Sequence, residues 1–156
     1  MFFEKENNHQ FCAEAMRDIF LSISNCLSDR EVSKVYNIPY PTVSKWKNLD
    51  MEHFKNRYKI YLIEFLRRFD QEKTKEIIEK YKLPRNVNLK LVSGTTQIPY
   101  RVLESFESSK AKWKTFFYQI LMEHNQELFE LQYELVKKSA EKKYLMKKKE
   151  QKQNEV

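Results

Sequence analysis

SDREVSKVYNIPYPTVSKWKN, residues 28–48, reads as two short helices joined by a tight bend. Ser28 with Glu31 three residues on is a capping box, in which each side chain satisfies the other's free backbone N–H. Val32 and Val35 are expected to face inward from the first helix, and Ser33 is small enough to admit a second helix close by. Asn37 tolerates the left-handed conformation that such a bend requires, in place of glycine. Ile38 fills the space between the helices, and Pro41 falls early in the second helix, where its missing N–H costs no hydrogen bond. Val43 and Trp46 give that helix its buried face, which leaves Thr42, Ser44, Lys45 and Lys47 pointing elsewhere.

The composition carries this helical reading to the whole chain. One glycine and four prolines in 156 residues leave little material for tight hairpins. A charged fraction of 33% beside 14% aromatics suits amphipathic helices with aromatic seams. The expected fold is all-α, with two helix-turn-helix-like units in tandem and a long C-terminal helix.

Residues 1–10 are polar and expected to be flexible. Phe11, Ala15, Ile19, Phe20, Ile23 and Cys26 recur at helical spacing, so one amphipathic helix is expected to run through them and pack on the pair that follows. Cys12 and Cys26 then share a face of that helix, four turns apart and too distant to bridge. Asp50 is read as the cap of a further helix with a broad apolar face: Met51, Phe54, Tyr58, Tyr61, Leu62, Phe65, Leu66 and Phe69. That face is expected to pack on the first helix, which completes a first unit over 11–69. Ile77, Ile78, Tyr81 and Leu83 mark a weaker helix ending before Pro84, and 85–88 reads as a linker, so 70–87 connects two units.

Beyond the linker the pattern returns. Ile38, Pro39 and Tyr40 recur sixty residues later as Ile98, Pro99 and Tyr100, and at the same offset Val32, Ser33, Val43 and Trp46 match Val92, Ser93, Leu103 and Phe106. After a one-residue deletion, Phe54, Tyr58 and Leu62 match Trp113, Phe117 and Leu121. The second unit, 88–136, keeps the inward residues and changes the outward ones. Arg101, Glu104, Ser105 and Glu107 stand where the first unit has Pro41, Ser44, Lys45 and Lys47. From Ser109 one long helix is expected to run towards Lys149, with Phe117, Leu121, His124, Leu128, Leu131 and Leu135 as a short coiled-coil seam that either packs on its own domain or forms a homodimer. The formal charge of +7 is concentrated in the Lys-rich tail, 137–156, which can clamp phosphates, approach an anionic surface or remain disordered.

VSKVYNIPYPTVSKWKN resembles the helix-turn-helix of bacterial repressors of the lactose-repressor type, and also the Trp-containing helix-turn-helix of transposase and small-terminase proteins. Ser33 stands at the small-residue position, Asn37 at the turn, Ile38 between the helices, and Val43 with Trp46 in the core. The resemblance implies that Tyr40 and Lys45 touch bases and that Thr42 and Ser44 contact the DNA backbone. Pro41 departs from the repressors, which place a polar base-reading residue there.

These features lead to an expectation of a sequence-specific double-stranded DNA-binding protein, a transcriptional regulator or a mobile-element or phage-type recognition factor. Lys45 can donate to guanine O6 and N7, Tyr40 can make an apolar or hydrogen-bonded base contact, and Asn48 serves bases or backbone. Thr42, Ser44 and Lys47 would hold phosphates. Tyr100, Arg101 and Ser105 are the matching candidates in the second unit, which either reads DNA or contacts a protein partner. The alternative is a non-enzymatic interaction or assembly factor using the second unit and the long last helix. A catalytic role is not expected: no Gly-rich phosphate loop, metal-ligand spacing or nucleophile with a base partner is present, and no cofactor is implied. The chain has no long apolar run, so no membrane span is expected; the setting is read as cytoplasmic, on the nucleoid if DNA is bound.

Overall fold

The computed structural model describes residues 11–154; the N-terminal 1–10 segment expected to be flexible lies outside them. Among the described residues there are nine helices and no strand. They are α1 (Ala13–Leu21), α2 (Asp29–Tyr36), α3 (Tyr40–Lys47), α4 (Phe54–Arg68), α5 (Gln71–Lys80), α6 (Leu89–Thr96), α7 (Tyr100–Ser105), α8 (Lys112–Met122) and α9 (Gln126–Asn154). The chain is therefore all-α, and its last helix is its longest.

Local chemistry explains the α2–α3 hairpin. Glu31 N–H donates to Ser28 Oγ at 3.2 Å, and Ser28 N–H donates to Glu31 Oε1 at 2.9 Å, which closes the capping box. Asn37 ends α2 in the left-handed region, φ 60° and ψ 35°, with its N–H on the Ser33 carbonyl. The Ser33 hydroxyl crosses the bend to donate to the Ile38 carbonyl at 2.6 Å, and Ile38 is buried beneath it. The part-buried Ser33 bond contributes about 1 kcal/mol net. Val32 is buried as expected, but Val35 is half exposed and Tyr36 takes the inward place. The helix buries its i and i+4 positions, so Val35, one residue short, is turned to solvent.

The α6–α7 hairpin repeats this skeleton. Gln97 adopts φ 65° and ψ 11°, its N–H reaches the Ser93 carbonyl, and Ser93 Oγ donates to Ile98 O at 2.6 Å. Pro99 precedes α7 in the same extended conformation in which Pro39 precedes α3. The hairpins share one core rather than forming two. Val32, Ile38 and Val43 belong to the same buried cluster as Val92, Ile98 and Leu103. Trp113 of α8 sits at the junction, with Trp46 packed edge-on at 5.6 Å and Phe106 at 5.7 Å. The match between Phe54 and Trp113 does not extend to environment, since Phe54 is exposed and Trp113 buried.

Four expectations are corrected by long-range packing. The first helix stops at Leu21, because the Ser22 hydroxyl turns back to the Ile19 carbonyl and the chain leaves as a loop. Phe20 is exposed, and Cys12 and Cys26 are exposed thiols that share no helix: Cys12 caps α1 and Cys26 lies in the loop. The apolar face of α1 meets α5 and α9, not the α2–α3 pair: Ile19 is buried with Ile77, Ile78 and Leu128. Asp50 closes a turn by accepting from Glu52 N–H, so α4 starts only at Phe54, and its apolar face packs chiefly on α9 and α3.

The long terminal helix is two helices. Asn125 Oδ1 accepts from Leu128 N–H at 3.0 Å and caps α9, so α8 ends at Met122. His124, in the break, is buried with Nδ1 accepting from Asn125 N–H at 2.8 Å. The seam packs within its own chain: Phe117, Leu121, His124 and Leu128 are buried, while Leu131 and Leu135 pack beside Leu128. A second stripe on α9, Phe129, Tyr133, Val136 and Ala140, faces the main core, where the Phe65 and Tyr133 rings pack at a tilt, 4.9 Å between centres. The expected linker, though largely exposed, is tied to the start of α9 by hydrogen bonds. Asn86 Oδ1 accepts from Gln126 N–H at 2.9 Å, and Asn88 N–H donates to Gln126 Oε1 at 2.9 Å. The boundary placed at 136/137 falls inside α9, which continues through the Lys-rich stretch to Asn154.

Candidate nucleic-acid interface

On α3, Val43 is buried and Trp46 half-buried, so rotation about the axis sends Pro41, Ser44, Lys45 and Asn48 to the opposite side. Lys45 lies in the middle of this outward row and is exposed; no carboxylate of the described residues forms an ion pair with it. Tyr40 is 41% exposed at the start of the helix, with the Arg30 guanidinium 5.0 Å from its ring centre. Thr42 and Ser44 are half-buried at the base of the row.

Two of the expected contact residues have partners within the chain. The Asn48 amide donates to the Ser44 carbonyl at 2.9 Å and closes the end of α3, which leaves its Oδ1 to face outward chemistry. Lys47 Nζ is 3.0 Å from Asp29 Oδ2, and Arg67 Nη2 is 2.7 Å from Asp29 Oδ1. Burial pushes the Asp29 carboxyl up, but Arg67 and Lys47 outweigh it and hold the group below the usual carboxylate range. Lys47 keeps N–H donors beyond this pair.

The α7 face is different in kind. Tyr100 and Arg101 are exposed, and the Ser105 hydroxyl is turned back onto the Val102 carbonyl at 2.5 Å. The Glu104 charge raises the Tyr100 hydroxyl above its ordinary range. Partial burial raises Tyr118 of α8, with Glu107 and Glu104 adding to it. The second hairpin thus presents an electronegative surface where the first presents lysine and hydroxyl groups.

Sequence reasoning missed two contributions. Arg30 gave no periodic signal, since only the fold stacks it beside Tyr40. The tail was expected to supply charge, but the run of lysines did not reveal which ones reach the hairpin. A groove of about 520 Å³ lies between the end of α3, α4 and distal α9, with Met51, Ile60 and Ile63 among its apolar lining. Lys47 and Asn48 stand on one wall, Lys143 and Lys147 on the other. Lys143 Nζ lies 3.0 Å from Glu64, which Arg67 and Arg68 also neutralise.

No group of His, Cys, Asp and Glu among the described residues is arranged to hold a metal ion, and none of the described helices is long and apolar enough to cross a membrane. No family model, curated protein or solved structure matches the chain.

Proposed function

We propose that the protein is a sequence-specific double-stranded DNA-binding protein that lays α3 in the major groove, in a regulatory, mobile-element or phage-type recognition role. The observation that carries this reading is the outward row of α3, with Lys45 at its centre, mounted on a left-handed-turn hairpin whose inner residues Val32, Tyr36, Ile38 and Val43 are buried. Lys45 donates to guanine O6 and N7, Tyr40 contacts a neighbouring base, and Asn48 Oδ1 accepts from a base amine. Thr42, Ser44 and Lys47 fix the helix on phosphates, joined by Arg30.

Selection of sites from random duplexes tests it, run with the native chain and with Lys45→Glu. The reading requires an enriched motif that the charge reversal abolishes. It fails if nothing is enriched, or if Lys45→Glu enriches the same motif.

The electronegative α7 face supports a second reading, in which the hairpin pair is an assembly scaffold with a protein partner on Tyr100, Glu104 and Glu107. Salt separates the two. A DNA complex with six or more phosphate contacts loses about a thousandfold in affinity between 50 and 200 mM salt.

A further inference from the structure

We infer that the groove-facing side of distal α9 is a second DNA-contacting element, carrying the phosphate backbone that flanks the major groove entered by α3. This inference rests on the DNA reading of α3 and adds a specific surface to it.

Helix geometry selects the residues. Ala140, Lys143, Tyr144, Lys147 and Gln151 recur at three- and four-residue steps and line the groove together. Ala140 is buried and Tyr144 half-buried against the core, so this side of α9 is anchored beside α3. Lys142 and Lys149 lie on the opposite side of the same helix. From Lys143 to Gln151 the helix rises about 12 Å. That length matches about three phosphates of one strand, at 3.4 Å each along the duplex axis.

The charges suit an anion. Glu64 lines the groove and Asp29 is bound to its Lys47, and both are neutralised internally, by Arg67, Arg68 and Lys143 and by Arg67 and Lys47. Two further carboxylates border it: Asp50, whose charge adds to burial in raising the Tyr144 hydroxyl, and Glu52, which is paired with Lys148. Lys147 is exposed and forms no ion pair with a described carboxylate, so its charge faces the groove. Gln151 and the Tyr144 hydroxyl add neutral donors of the kind that hold phosphate oxygens. The α3 wall contributes Lys47, so one backbone strand can be held from both sides.

The test uses the full chain and the duplex enriched from the random library, with affinity measured by fluorescence anisotropy from 50 to 200 mM salt. Lys147→Glu is compared with Lys149→Glu, which makes the same charge change on the opposite side of the helix. Lys147→Glu should lower the slope of log affinity against log salt by about 1 and weaken binding about tenfold at physiological salt, with the enriched motif unchanged. Lys149→Glu should produce less than half of that effect. Gln151→Glu, at an exposed position, should repeat the Lys147→Glu loss in smaller measure.

Equal effects at Lys147 and Lys149 would mean that the tail acts as diffuse charge and would overturn the inference, as would no effect at either. A changed motif for Lys147→Glu would overturn the backbone assignment. If the native chain enriches no duplex, the DNA reading fails and this inference with it. If a motif depends on Lys45 while the α9 variants are indistinguishable, only the present inference fails.

Discussion

Acidification should destabilise this protein through one buried ring. His124 is 1% exposed, between Phe69 and Phe129. Because Asn125 N–H donates to Nδ1, the neutral ring carries its proton on Nε2 and donates it to Gln132 Oε1 at 2.8 Å. The Gln132 amide in turn donates to Ser22 Oγ at 2.9 Å and Thr74 Oγ1 at 3.1 Å. Those hydroxyls donate to the Ile19 and Asp70 carbonyls. Every polar group is satisfied only with the ring neutral, and a second ring proton would meet the Asn125 N–H head-on. Burial accordingly lowers the imidazole to about 4 from its ordinary 6.5.

The unfolded chain therefore takes up a proton that the folded chain refuses. Stability is full above pH 6.5 and falls as pH drops towards 4, at about 1.4 kcal/mol per pH unit. At pH 5 the loss is about 2 kcal/mol, which moves a urea midpoint by about 1 M for a chain of this size. Asp29 and Glu64, held low in the fold, lose their contribution only beneath about 4, at the acid end of this window. The assay is urea unfolding at pH 7 and pH 5, followed by circular dichroism, for the native chain and for His124→Gln, which keeps a polar partner for Gln132 and does not titrate. The native loss should exceed that of the variant by about 2 kcal/mol. Equal losses would refute the reasoning, since every other group that takes up protons in this range is common to both proteins.

Two further predictions concern the hairpins. Trp113→Ala should cost about 3–5 kcal/mol by removing the ring against which Trp46 and Phe106 pack, and should appear as a lowered urea midpoint. At Asn37 the left-handed backbone makes the sign depend on side-chain branching: Asn37→Val should cost about 1–2 kcal/mol, whereas Asn37→Gly should be within about 0.5 kcal/mol of native in thermal unfolding.

The parts of this fold that were legible in the sequence are those whose chemistry is contained within a few residues. Ser28 with Glu31, Asn37, and the Ile-Pro-Tyr step each complete their interactions within five positions, and each occurs where it was expected. Gln97 shows the limit, because it adopts the same turn as Asn37 without the residue type that signals it. The misplaced helix ends have a common cause. Ser22 and His124 mark the ends of α1 and α8, and both are held through Gln132, a residue 110 positions from Ser22. No periodicity in a local window reports such a bond. The candidate site divides in the same way. Lys45 points outward because Val43 and Trp46 point inward, which the helical period alone dictates. Lys147 differs from Lys149 only because α9 packs on α4 with Ala140 and Tyr144 against the core.

The two hairpins show how one skeleton can carry opposite surfaces. Their common features are all inward or in the turn: Ser33 and Ser93 on the carbonyls of Ile38 and Ile98, and Val43 and Leu103 in the core. None of these constrains the outward row, so Lys45 can become Ser105 and Lys47 become Glu107 without disturbing the fold. The length of the second helix does change. α3 has eight residues and α7 six, about 12 Å against about 9 Å. The shorter helix presents less than two turns, and its Glu104 and Glu107 repel phosphates, so it is the poorer candidate for the major groove on both length and charge. The bearing of this second hairpin on the proposed interface is indirect: α6 packs on α9, with Lys137 Nζ donating to the Thr95 carbonyl at 3.2 Å. That contact anchors α9 six residues before Lys143 and sets the helix on the line that brings Lys143 and Lys147 to the end of α3.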